Sequence, residues 1–319
     1  MKYFLSGGAG FIGSHTAENL LKDKKNKVII YDNLSSGTKN HISFLLKKKN
    51  LKFIKADLKN KNKLIKSMKN VDCVIHFAAN PDIAKAVRKP DIDFWEGTYL
   101  TQNLLEGMRL NKVPFIIYTS GSGVYGENPK IKFKEDYGPC IPISTYGASK
   151  LACESLISSY CFMFGLKARV FRFANVVGPK QTHGVGYDFI KKLKKNPKKL
   201  KILGNGTQLK SYIHVKDVIS AIKIGLKQLR GKHKLIYDVY NVSTDDNITV
   251  TDIAKCVCKI MKLKKVKLIY GGGDRGWKGD VPLIKFNNNK LKKIGWRYNY
   301  SSRRAIILSL KSLLTYIIK

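Results

Sequence analysis

The stretch "SGGAGFIGSH" (residues 6–15) sets three glycines, Gly7, Gly10 and Gly13, at the spacing G-x-x-G-x-x-G. It follows directly on the apolar run "KYFLS" (2–6) and opens the amphipathic pattern "FIGSHTAENLLK". A chain that turns from strand to helix through residues without side chains lets a pyrophosphate approach the helix N-terminus, where free N–H groups and the dipole favour an anion. Nineteen residues after Gly13, the run "KVIIYD" (27–32) ends in Asp32. A carboxylate there accepts the adenosine ribose hydroxyls and repels a 2′-phosphate, so the stretch predicts a cradle for NAD rather than NADP.

Working outward, the runs "LKFIKAD" (51–57), "DCVIHFA" (72–78), "PFIIYTS" (114–120) and "LKARVFRF" (166–173) alternate with helical patterns starting near Phe11, Lys39, Asn62, Asp91 and Tyr146. Strands this apolar throughout are covered on both faces. The rhythm predicts an α/β chain with a Rossmann-type doubly wound parallel sheet over residues 1–174. After "ANVVGP" (174–179) the rhythm loosens, and residues 175–319 read as a smaller C-terminal α/β substrate-binding domain. It holds the helical pattern "DFIKKLKK", the turn "ILGNGTQ", a strand "SYIHV", helices from Lys216 and Thr249, the long loop "GGGDRGWKGDVP" (271–282) and a closing amphipathic helix. Loops of that length in compact domains are functional or disordered.

The 319 residues carry 60 Lys+Arg against 22 Asp+Glu, a formal net charge of +38, and only nine of the basic residues are Arg. Recognition of nucleic acid favours the planar fork of Arg. Lysine spread along the whole chain reads instead as solvated faces, which argues against a nucleic-acid partner. Six cysteines (73, 140, 153, 161, 256, 258) form no C-x-x-C pair and no ordered spacing with His, so no metal site is expected. The N-terminus enters a strand pattern at once and no apolar run approaches the ~20 residues of a bilayer span. A cytoplasmic location without membrane attachment is the expectation.

"YGASK" places Tyr146 and Lys150 four residues apart at the start of a helix, on one face. A tyrosine is a poor base at neutral pH, and a neighbouring ammonium together with a positive nicotinamide ring would stabilise its phenolate. The pair can then take a proton from a substrate hydroxyl while hydride leaves the same carbon. Upstream, "TSGSGVYG" (119–126) keeps a strand end small and polar.

The set "GGAGFIGS", "YDNLSSG", "HFAA", "TSGSGVYG", "YGASK" and "RFANVVGP", continued by "HGVGYDFIKKL", "LGNGTQLKSYIHV" and "RGWKGDVP", resembles the extended short-chain dehydrogenase/reductase family, and within it the sugar-nucleotide 4-epimerases. The resemblance implies NAD held by Gly7, Gly10, Phe11, Ile12, Gly13, Asp32, Asn33, Asp57, Leu58, Ala78 and Lys150. It implies Tyr146 as base and acid, Lys150 on the nicotinamide ribose, and Ser122 on the reacting hydroxyl. Asn175, Lys210 and Arg275 would hold the diphosphate of a UDP-sugar, with Asp280 near the nucleotide ribose, and part of 213–242 would return to the first domain. The implied reaction interconverts UDP-glucose and UDP-galactose by oxidation at C4, rotation of the 4-keto sugar and return of hydride to its other face.

Related 4,6-dehydratases carry an Asp-Glu pair where Ser122 and Gly123 stand, and neither of these titrates near neutral pH. Three positions depart from the epimerase pattern: Gly97 replaces a usual Asn, residues 209–211 read Leu-Lys-Ser around a usual Arg, and Arg275 lies four residues before Gly279. Readings left open are an epimerase or oxidoreductase for a uronate or N-acetylated sugar, and a non-catalytic NAD-sensing or nucleic-acid-binding protein. The resemblance also implies a homodimer through the helices at about 91–110 and 146–164.

Overall fold

The computed structural model describes residues 1–231 and 233–318. The apolar runs become β1 (Lys2–Ser6), β2 (Lys27–Asp32), β3 (Leu51–Lys55), β4 (Cys73–His76), β5 (Phe115–Gly121), β6 (Lys167–Phe173) and β7 (Tyr237–Val242). They form one sheet in the order β7-β6-β5-β4-β1-β2-β3. β1 pairs in parallel with β2 and β4, β2 with β3, and β4 with β5. This is the Rossmann-like parallel sheet that the alternating pattern predicts. The order reverses between β1 and β4, and a crevice for ligands opens beyond the carboxyl ends of strands at such a point.

Helices α1 (Phe11–Leu20), α2 (Lys61–Ser67), α3 (Tyr99–Leu110) and α4 (Thr145–Phe164) accompany the sheet. Leu64 of α2, Leu104 and Met108 of α3 and Ile157 of α4 are fully buried in one core with Phe4, Val74 and Ile116 of the strands. The helix expected near Lys39 is instead two short 3-10 turns, Lys39–His41 and Ser43–Leu45. His41 Nδ1 lies 3.1 Å from Ala9 O, and Ile42 and Leu45 are fully buried. These tertiary anchors override the helical pattern. The helix expected from Asp91 starts at Ile92 and widens into a π-turn, Phe94–Thr98, before α3 proper.

The chain divides into two compact units, Met1–Val124 with Thr145–Arg172 and Ile219–Tyr240, and Tyr125–Ser144 with Phe173–Val218 and Asn241–Lys319. Residues 125–144, which the sequence reading leaves inside 1–174, thus cluster with the second unit. Strand Lys132–Phe133 pairs with Lys285–Phe286, Tyr125 OH donates to Asn241 Oδ1 at 2.7 Å, and Asn241 Nδ2 donates to Phe133 O. In the first unit, Gly225 packs so closely on Phe171 that a methyl group there would lie 2.7 Å from the ring.

The second unit is built from short parallel pairs, Asn175–Val177 with Tyr212–His214 and Lys199–Ile202 with Lys267–Tyr270. Its core joins α5 (Val185–Lys195), α7 (Val250–Ile260) and the closing helix Ser302–Ile318 through Phe189, Leu193, Val257 and Leu310; α6 (Val215–Arg230) contains the boundary between the units. Residues 271–282 carry neither helix nor strand. Among the described residues no helix is long and apolar enough to cross a membrane, and no group of three or more His, Cys, Asp or Glu could hold a metal ion.

One buried ion pair fastens β6 to α4. Arg172 donates through Nε and Nη2 to Glu154 at 3.0 and 2.7 Å, with side chains 7% and 4% exposed. Removing one partner strands the other charge in the core. Arg172→Met is therefore expected to lower stability by about 3–5 kcal/mol, read from the urea midpoint, and Arg172→Met/Glu154→Leu to recover most of it. A double variant as weak as the single one would contradict this account.

Candidate functional site

At the end of β1, Gly7 turns the chain with φ +71° and its N–H donates to Tyr31 O at 3.0 Å. A methyl group on Gly7 would lie 2.7 Å from Ala78 N, beyond β4, and one on Gly13 would lie 2.4 Å from Gly7 O. Gly10 caps α1, no side chain closes that cap, and the first turn, beginning with Phe11 and Ile12, holds no acid. Helix N–H groups left open beside a backbone stripped of side chains fit a pyrophosphate. Gly7, Gly10, Gly13 and Ala78 are thus brought together at the reversal point of the sheet.

Asp32 is 7% exposed and accepts from Ala9 N at 2.9 Å and Leu34 N at 2.8 Å. Burial pushes its carboxyl up, and the two backbone donors pull it back. Each oxygen keeps a lone pair for a further donor. Asn33 Nδ2 donates to Asp57 Oδ2 at 2.8 Å, while Leu58 packs its side chain into the core. Asn33 and Asp57 therefore meet, whereas Leu58 can offer a ligand only its backbone.

Tyr146 and Lys150 stand in the first turns of α4. Lys150 is 6% exposed, and its Nζ donates to Thr119 O at 2.8 Å and lies 5.0 and 5.6 Å from the ring centroids of Tyr118 and Tyr146. Burial lowers its pKa to about 8. Burial, with Asp93 adding to it, pushes Tyr146 up. The chain's own groups therefore keep the phenol protonated near neutral pH. A methyl group on Gly123 would lie 3.3 Å from Gly147 Cα and 4.0 Å from Tyr146 Cδ1, so this loop and the head of α4 are in close contact. Ser122 opens a 3-10 turn, Ser122–Tyr125, and is partly exposed. Ser120 is 4% exposed, and its hydroxyl has no hydrogen-bond partner among the described residues.

In the second unit, Asn175 N donates to Ser211 O, next to Lys210. Lys210 Nζ pairs with Asp280, and Arg275 Nη1 donates to Asp280 O at 2.8 Å. Lys210, Arg275 and Asp280 thus form one cluster.

Sequence reasoning missed the groups that hold α4 in place. Asp93, 2% exposed, accepts from Asn80 Nδ2 at 2.9 Å and Thr145 Oγ1 at 2.7 Å, and its carbonyl accepts from Ser149 Oγ at 2.7 Å. Ser149 Oγ in turn accepts from Thr98 Oγ1 at 2.9 Å. Gly97 belongs to this assembly: a methyl group there would lie 2.4 Å from Ser149 Oγ. His76 was also missed. Thr101 Oγ1 donates to Gly97 O, so His76 Nε2 donates to Thr101 Oγ1 at 3.0 Å, and Nδ1 accepts from Ser6 Oγ at 2.6 Å. Burial, then the Lys150 charge, lowers its pKa to about 3, and the ring stays neutral. One Asp directly before a π-turn gives no periodic signal, and neither does one His inside an apolar strand.

A glycine turn that fits a pyrophosphate and a buried Tyr–Lys pair are the features of a nicotinamide-dependent class of enzymes. The sequence profile of the NAD dependent epimerase/dehydratase family matches residues 3–243, and the chain belongs to that family. A putative UDP-glucose 4-epimerase of Methanocaldococcus jannaschii is 32% identical, covering 92% of each chain. A dTDP-D-glucose 4,6-dehydratase of Dictyostelium discoideum is 35% identical, covering 81% of this chain and 62% of its own. A crystal structure of a UDP-galactose 4-epimerase superposes with a TM-score of 0.88 at 34% identity, covering 99% of this chain and 100% of the other.

The Gly97 packing gives a direct check. Gly97→Ala should displace Ser149 Oγ and cost about 1–2 kcal/mol in thermal or urea unfolding, and adding Ser149→Ala should cost little more, since the same bonds are already lost. Additive costs would show that the two residues act separately. Lys150 gives a pH check. Its folded pKa, about 8, lies below the ordinary 10.5, so between these values the unfolded chain binds the extra proton and stability rises with pH. That contribution is lost as pH falls through about 8. Lys150→Met should therefore gain most on the native chain near neutral pH, with the difference shrinking as pH rises toward 10.5. Urea midpoints across that range would show a constant difference if the ammonium were not penalised by burial.

Proposed function

We propose that the chain is an NAD-dependent 4-epimerase that interconverts UDP-glucose and UDP-galactose. The observation that carries this reading is the Tyr146–Lys150 pair beside a loop that holds Ser122 and Gly123. Eliminating water from a sugar requires an acid and a base in addition to the tyrosine. A serine and a glycine supply neither near neutral pH. They suit a reaction in which only one hydroxyl loses and regains a proton.

The residues divide the work by chemistry. The glycine turn and the open cap of α1 would hold the pyrophosphate of NAD, and Asp32 the adenosine ribose, with Asn33 and Asp57 near the adenine. NAD, when bound, supplies the hydride acceptor and a fixed positive charge on its ring. Tyr146 takes the proton from the C4 hydroxyl and returns it, and Ser122 hydrogen-bonds that oxygen. Lys150, held by Thr119 O, offers its remaining N–H bonds to the nicotinamide ribose and its charge to the phenolate. Asn175, Lys210, Arg275 and Asp280 grip the UDP moiety, so the sugar can turn over without leaving the protein. Small residues at 121–123 leave room for that turn.

The first unit would then serve as the cofactor domain and the second as the substrate domain. A homodimer through α3 and α4 is part of this reading. Phe94, Trp95, Leu110, Phe162 and Met163 lie on or beside these helices with 43–73% of their surface exposed, more apolar area than a solvated face normally leaves open. No two of the six cysteines are joined in a disulfide, which suits a reducing cytoplasm.

Purified protein incubated with UDP-galactose should form UDP-glucose, detected by chromatography of the nucleotide sugars. Tyr146→Phe should lower kcat by about 10²–10⁴ while UDP still binds. Formation of a 4-keto-6-deoxy product in place of UDP-glucose would overturn the reading in favour of dehydration.

A further inference from the structure

The cations expected to grip a diphosphate are already neutralised by the chain itself. Arg275 Nη2 donates to Glu127 Oε2 at 2.7 Å, Nη1 donates to Asp280 O at 2.8 Å, and Nε lies 3.8 Å from Asp274 Oδ1. Lys210 pairs with Asp280 Oδ1, whose other oxygen accepts from Gly276 N at 3.2 Å. Two cations therefore face three carboxylates, in a chain where bases outnumber acids 60 to 22. An arriving diphosphate adds negative charge to a cluster that has no surplus positive charge, so a carboxylate must yield.

The three acids differ in how easily they can leave. Asp280 is 7% exposed and is held by both Lys210 and Gly276 N. Asp274 is 70% exposed and lies at the long distance of 3.8 Å, so it holds little. Glu127, 31% exposed, makes the short charge-assisted bond to Arg275 and can turn into solvent. Its position is set by the backbone. Gly126 has φ +77°, and a methyl group there would lie 1.9 Å from Ile141 O, so the chain enters residue 127 along one path. On the other side, a methyl group on Gly204 would lie 2.7 Å from Arg275 O, which pins the arginine's backbone and leaves its side chain to choose a partner.

We propose that Glu127 is an exchangeable counter-ion for Arg275: it holds the guanidinium and the 271–282 loop in place until a nucleoside diphosphate replaces it, and so weakens the site's affinity for that ligand. The proposal rests on the reading of Arg275 as a phosphate contact. Calorimetric titration with UDP tests both, using the full-length protein and the variants Glu127→Gln, Arg275→Gln and the double variant. Glu127→Gln keeps an acceptor while removing the charge, and should bind UDP about three- to fivefold more tightly, the scale of one partly exposed ion pair. The gain should vanish in the Arg275→Gln background. Unchanged or weaker UDP binding by Glu127→Gln would overturn the proposal, and so would an equal gain in both backgrounds, which would mark a general charge effect. If native protein and Glu127→Gln both fail to bind UDP, the UDP-sugar reading falls first and the proposal with it.

Discussion

Two approaches between backbones in the first unit leave no room for a side chain. Gly7 leaves β1 so near the chain beyond β4 that a single methyl group would meet Ala78 N at 2.7 Å, and Gly13 brings α1 closer still to Gly7 O, at 2.4 Å. These contacts set where α1 begins and leave its N–H groups free, at the point where the strand order reverses. Asp32 reaches back to Ala9 N in the same turn, so the anion-binding end and the acidic end of the cradle share one set of backbone bonds.

The second constraint is a buried ammonium. Lys150 sits in the core side of α4 with a single carbonyl partner, Thr119 O, and burial lowers its pKa to about 8. A buried charge costs stability unless it is paired, and this one is kept beside a phenol that burial pushes in the opposite direction. The neighbouring polar groups have no such freedom. Asp93 accepts from Asn80, Thr145 and Ser149, and neutral His76 joins Ser6 to Thr101, so the head of α4 is held by bonds that carry no net change of charge. Shifted groups clustered beside rigid neighbours are characteristic of reactive sites.

Much of the first unit was legible in the order of residues. Strands buried on both faces are apolar throughout, and β2 and β4 show it; a glycine turn between strand and helix has few other uses. Tyr146 and Lys150 were legible because helical spacing puts them on one face. The turns at Lys39–His41 and Ser43–Leu45 were not, because buried contacts of His41 and Leu45 outweigh local preference there. Residues 125–144 cluster with the second unit for a similar reason: the pairing of Lys132–Phe133 with Lys285–Phe286 joins segments about 150 residues apart, and pattern within a window cannot report it. At position 97 any side chain would meet Ser149 Oγ, 2.4 Å from where its first carbon would lie, a contact between segments about 50 residues apart.

By itself, then, the sequence determined the sheet's alternation, the glycine turn and the Tyr146–Lys150 pair, because each depends on spacing within a few residues of one element. Tertiary structure alone decided the rest: which carboxylates neutralise Lys210 and Arg275, that Leu58 turns into the core, that His76 is neutral with Nε2 as its donor, and that Glu127 stands on Arg275. Each of these is a contact between segments distant in the chain, made only when folding brings their side chains within a few ångströms.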